Sequence, residues 1–111
     1  MSQLFPPFIT GLPEADMPVN GVKAYLSQGE GHQIIFMEFT EDTVVPEHSH
    51  ANQWGFVLEG RIELTIGGIK NTYVKGDRFV IGKDVKHSAK IFAGYASIEY
   101  FDQAERYKKK K

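Results

Sequence analysis

The sequence predicts an all-β chain, a small antiparallel β-barrel or two-sheet sandwich of roughly eight to ten strands. Three observations carry this. Short stretches rich in Val, Ile, Phe, Tyr and Thr recur from Val22 to Phe101. Glycine-containing turn signals divide them, among them Gly29-Glu30-Gly31, Glu59-Gly60, Gly67-Gly68, Gly76-Asp77 and Ala93-Gly94. No segment carries a sustained apolar stripe at helical spacing, apart from a last turn near Gln103–Tyr107. The 111 residues suit one domain with one core, and a hydrophobic share of 41% is that of a folded chain.

Residues 1–20 hold four of the five prolines, Pro6, Pro7, Pro13 and Pro18. They read as an extended arm packed through Leu4, Phe5, Phe8 and Ile9, because proline breaks helices and interrupts strand ladders. Residues 21–103 read as the barrel, with strands over Val22–Gln28, His32–Thr40, Gln53–Glu59, Ile62–Ile66, Ile69–Lys75, Arg78–Ile81, His87–Phe92 and Tyr95–Phe101. Gly67-Gly68 is a two-residue hairpin signal, since the primed turns need positive φ. Residues 104–111 form a basic tail whose simplest reading is a frayed, solubilising terminus.

Charge and composition exclude several classes. The chain carries 13 basic and 14 acidic residues, and without Lys108–Lys111 the body has 9 basic and 14 acidic, near −5. An acidic body argues against nucleic acid, which is bound through clustered Lys and Arg. The lack of cysteine removes disulfides and thiolate sites. No apolar run approaches the ~18 residues of a membrane span, and the first residues lack a secretory pattern. The expected location is the cytoplasm.

The chemistry gathers on histidine. His48 and His50 lie two apart, so on extended backbone both imidazoles face one way. Gln53 follows, and His87 opens a later strand. Three imidazoles suit one divalent transition-metal ion, Fe, Ni, Zn, Cu, Co or Mn. Three protein ligands also leave positions open for water or substrate. His32, beside a Gly-Glu-Gly turn, reads as structural.

Pro46-Glu47-His48-Ser49-His50, then Gln53-Trp54-Gly55 and Val57-Leu58-Glu59-Gly60, resembles the first motif of the cupins. Gly76-Asp77-Arg78-Phe79-Val80-Ile81-Gly82, ending at His87-Ser88, resembles the second. The likeness is to single-domain cupins with one double-stranded β-helix (jelly-roll) barrel. It implies His48, His50 and His87 as metal ligands. Gln53 stands where the family places a glutamate ligand, one residue closer to the second histidine. It would bind through its carbonyl oxygen or bond to metal-bound water. Gly82 and Asp84 replace the family's proline and glycine, and Ile91 its closing asparagine.

Glu38 and Glu99 interrupt apolar strands. Alternation favours an outward position for both. Either one pointing inward would be a general acid or base candidate, its pKa raised by burial. Trp54, Phe56 and Phe101 are candidates for an aromatic wall, or else ordinary packing. If Gln53 faces the ion, Trp54, Phe56 and Leu58 face away and need a cover. That cover is the chain's own arm or the partner in a homodimer. The function expected is metal-dependent chemistry on a small molecule, of dioxygenase, isomerase, cyclase or lyase type. The alternative is a non-catalytic binding or sensing module.

Overall fold

The structure, a computed structural model, describes residues 4–110; the arm's first three residues and Lys111 of the tail lie outside the described residues. Among the described residues nine strands follow one another: β1 (Val22–Gln28), β2 (Gln33–Phe39), β3 (Thr43–His48), β4 (Gln53–Glu59), β5 (Arg61–Ile66), β6 (Ile69–Val74), β7 (Arg78–Ile81), β8 (His87–Ile91) and β9 (Ala96–Phe101). They form a five-stranded sheet, β1-β2-β9-β4-β7, and a four-stranded sheet, β3-β8-β5-β6. Every pairing is antiparallel.

The two sheets share one core, which makes the architecture a jelly roll. β2 alternates buried and half-buried residues along its length, sending Ile35, Met37 and Phe39 inward. Val57 of β4, Ile62 and Leu64 of β5, Phe79 and Ile81 of β7 and Ile91 of β8 meet them. Each such side chain contributes about 1.5–3 kcal/mol by leaving water. The Ile66–Ile69 hairpin turns through Gly67 and Gly68 at φ 56° and 84°, both positive as the tight turn requires.

β3 has no counterpart among the strands read from the sequence. It contains Pro46 and is largely solvent-facing, features that weigh against a strand. It sits at the edge of its sheet, where a proline costs no ladder bond.

The two ends of the chain also depart from expectation. Pro7–Thr10 forms a single helical turn, α1, with Pro7 at its start, where a missing N–H is harmless. Phe5 is buried edge-on against Tyr25 of β1 and Phe36 of β2, while Phe8 is exposed. The helical turn expected at Gln103–Tyr107 is absent, because side chains of the barrel take its backbone groups. Gln28 Nε2 donates to the Ala104 carbonyl at 2.8 Å, and Gln33 pairs with Tyr107. Lys108–Lys110 do not fray. The Asp16 N–H donates to the Lys108 carbonyl and the Lys110 N–H to that of Glu14, both at 2.7 Å, around an Ala15–Lys109 bridge.

Candidate metal centre

His48 closes β3 and His87 opens β8, and the two residues pair across the sheet. The register slips between Val45 and His48, a bulge that adds one residue to β3. Without it, simple alternation from Thr43 and Val45 would point His48 outward. His50 lies beyond the strand, in the turn to β4. The Asp84 N–H donates to the His50 carbonyl at 2.9 Å, so the loop before His87 is tied to His50. Asp84 adopts φ 63°, the left-handed conformation that glycine takes most easily, so this turn keeps its shape without the expected glycine.

The ligating nitrogens of His48, His50 and His87 all lie within 4.8 Å of one another, and the group could hold a metal ion. His87 is buried and the other two are half-buried. The hydrogen bonds sort the ring nitrogens. Nδ1 of His48 donates to the Pro46 carbonyl at 2.8 Å, that of His50 to Ala51 at 2.8 Å, and that of His87 to Val85 at 2.9 Å. With Nδ1 protonated, each Nε2 presents a lone pair in the neutral ring. Nε2 of His50 and of His87 stand 3.1 Å apart. Two lone pairs at that distance repel, and a cation between them turns repulsion into ligation. Two nitrogens each about 2.1 Å from one ion, separated like these, subtend roughly 95°. Burial pulls the His50 pKa down to about 4 and lowers that of His87, which keeps both rings in the neutral, ligating form. The donor set therefore fits a divalent transition-metal ion.

Gln53, on β4, is buried in the same cavity. Its Nε2 donates to Glu99 Oε1. No hydrogen bond engages its own Oε1 among the described residues, and the residue lines the cavity that the histidines line. Glu99 corrects the outward expectation: it is buried on β9 and lines the cavity. Its other oxygen accepts from Ser97 Oγ at 2.7 Å and from the Tyr95 hydroxyl at 3.2 Å. Burial pushes its carboxyl pKa up, against the lowering by these three donors. Glu38 stays half-exposed on the other face of β2, away from the cavity. Strand parity holds along β4: Gln53, Gly55 and Val57 are buried, while Trp54, Phe56 and Leu58 face out. Phe101 forms cavity wall 5.5 Å from the His50 ring, whereas Trp54 and Phe56 stack on each other outside. His32 stacks on Tyr100 and takes no part.

The cavity holds about 360 Å³. Its wall is mostly hydrocarbon, including Met37, Phe39, Ile62, Leu64 and Phe79. Sequence reasoning missed Arg106, which enters from the segment after β9 and lines the same space. An Arg106 guanidinium nitrogen is 3.5 Å from Nε2 of His48.

A family model described as "Cupin domain" matches residues 35–98. Curated proteins give no match. An RmlC-like cupin from Shewanella frigidimarina is 21% identical, with 95% of each chain covered and a TM-score of 0.75. KdgF from a Halomonas species is 18% identical over 83% of this chain and 88% of its own, with a TM-score of 0.69. Oxalate decarboxylase from Bacillus subtilis, which has Mn(II) centres, is 18% identical with a TM-score of 0.73. The match covers 88% of this chain but only 29% of the decarboxylase. At these identities the likeness is one of fold.

Proposed function

The chain belongs to the cupin family, and on that premise we propose that it is a metal-dependent protein acting on a small organic molecule at His48, His50 and His87. One observation carries the reading: the three imidazoles offer ligand nitrogens within 4.8 Å of one another in a largely apolar cavity, and each Nδ1 is bonded to a backbone carbonyl, which leaves Nε2 for an ion. A divalent ion held there supplies Lewis acidity toward a carbonyl, hydroxyl or water oxygen. The protein's own groups do the rest. Glu99 holds or releases a proton at Oε1 or Oε2 inside the cavity, its pKa raised by burial. Gln53 orients that carboxylate through Nε2 and offers Oε1 to the ion or to a bound oxygen. Phe101, Leu64 and Phe79 keep water out.

The reading extends to a homodimer. The arm covers Tyr25 and Phe36 but leaves a strip of the outer sheet open: Val80 at 68% exposure, Trp54 at 39% and Tyr100 at 38%. These three lie side by side across β7, β4 and β9. A second copy related by a two-fold axis is the occupant that suits a self-complementary apolar strip.

The test is elemental analysis of the purified chain, followed by turnover assays on enols, diketones and 2-oxo acids with oxygen uptake recorded. A stoichiometric transition metal with turnover supports the reading. A chain that takes up no divalent ion sinks it, and occupancy with tight binding but no turnover moves it to a binding module.

A further inference from the structure

Arg106 is placed with unusual care for a residue outside any strand. Gln33, fully buried at the start of β2, bonds both backbone groups of the next residue. Its Nε2 donates to the Tyr107 carbonyl at 2.8 Å, and its Oε1 accepts from the Tyr107 N–H at 3.0 Å. The amide acts as one rung of a ladder and fixes the backbone that carries Arg106. The side chain then lies over two rings, 4.4 Å from the centroid of Tyr107 and 5.7 Å from that of Phe101. The guanidinium so held has no anionic partner among the described residues, and its one side-chain hydrogen-bond contact is the 3.5 Å approach of a terminal nitrogen to Nε2 of His48. None of the ion pairs among the described residues includes it, and its buried Nε has no hydrogen-bond partner.

The charges on the cavity wall are not paired with each other. Among the described residues Glu99 is its only carboxylate and is already bonded to three neutral donors, and Arg106 is its only permanent cation. The three imidazoles bring no negative charge, and Gln53 brings none where a glutamate is expected. With a dication on the histidines, the end of the cavity near His48 calls for an anion, while the remaining wall is hydrocarbon.

We propose that Arg106 anchors a carboxylate, so that the site selects small organic acids with the carboxylate on this guanidinium beside the ion and an apolar remainder along Leu64, Phe79 and Ile81. The inference rests on the metal reading above. A planar guanidinium fork matches the two oxygens of one carboxylate. A single fork in a largely apolar space of about 360 Å³ suits one such group on a small hydrocarbon body. Inorganic phosphate offers the fork similar oxygens but leaves the hydrocarbon wall unfilled.

The probes are benzoate, its neutral isostere benzamide, and inorganic phosphate, measured by calorimetry on the full chain loaded with Co(II). Benzoate should bind at least about tenfold more tightly than benzamide, as expected of charge-assisted bonds to one carboxylate. Arg106→Gln should lower that ratio by about tenfold while the chain still loads stoichiometric Co(II), and Arg106→Lys should keep part of it. An unchanged ratio in Arg106→Gln, or equal binding of benzoate and benzamide by the unaltered chain, overturns the proposal. Phosphate outcompeting benzoate overturns the carboxylate class. Failure to load Co(II) defeats the metal reading separately. The contrast is then read on the metal-free chain, where the guanidinium alone must still favour benzoate.

Discussion

Nε2 of His50 and Nε2 of His87 stand 3.1 Å apart, and each ring donates its Nδ1–H to a backbone carbonyl, which in the neutral ring leaves both Nε2 atoms as lone pairs. The double substitution His48→Ala/His50→Ala should therefore abolish divalent-metal binding. It should also leave a folded protein, since the hydrophobic core includes neither residue. Calorimetric metal titration with circular dichroism checks both halves. Retained stoichiometric binding would refute the site.

Gln53 donates to Glu99, so Gln53→Glu sets two carboxylates against each other in a buried place. The metal-free variant should lose about 1–3 kcal/mol, the cost of a buried group without its partner. A divalent ion should recover that loss, because an anionic oxygen is the stronger partner for a dication. The thermal shift on adding metal should then be larger in the variant than in the parent. An equal or smaller shift would mean that residue 53 does not sense the ion.

Gln33→Leu removes the rung under Tyr107 and strands a backbone N–H and a carbonyl. Hydrogen exchange should accelerate over residues 104–110 and at Glu14–Asp16, which they clasp, while β4, β5 and β8 stay protected. If Arg106 is held mainly by this rung, the variant also loses benzoate over benzamide discrimination with Co(II) content intact. Acceleration spread evenly over the barrel would refute a local role.

Burial pushes the Tyr107 pKa up to about 12 and raises those of Tyr95 and Tyr25. A folded pKa above the unfolded value means stability that is complete below about pH 10 and falls as pH climbs toward 12. Alkaline unfolding should coincide with a cooperative rise in phenolate absorbance. Tyr107→Phe should flatten the decline between these pH values. No change in that slope would show that the phenol is already solvated.

Trp54→Lys places a charge in the open strip beside Val80 and Tyr100. Light scattering should give about twice 12.5 kDa for the parent chain and 12.5 kDa for the variant. A parent mass of 12.5 kDa at tens of micromolar would end the dimer reading.

Most strands could be read from residue pattern alone because burial alternates along them, and Val22–Gln28, Gln53–Glu59 and Arg78–Ile81 keep the boundaries read from the sequence. The histidine set was equally visible, as two residues two positions apart and a third at the opening of a strand. What escaped depends on things that pattern does not encode. The bulge in β3 reverses parity at His48, and Pro46 disguised the strand as a loop. Glu99 faces inward where Tyr95 and Ser97, close by in its own chain segment, and Gln53 of the neighbouring β4 satisfy it together. Arg106 sits in a segment whose course is set by Gln28 and Gln33, more than seventy positions away.

That separation has a kinetic meaning. The Gln33–Tyr107 bonds join residues 74 apart, and the Ala15–Lys109 bridge spans still more chain. Such closures bring little reward until the intervening strands have found their places, so they come late. The β5–β6 and β1–β2 hairpins are local and need not wait for them. During refolding the three imidazoles should come together before the guanidinium arrives. Metal capture and acid recognition should then appear as two separate phases, the second one slower.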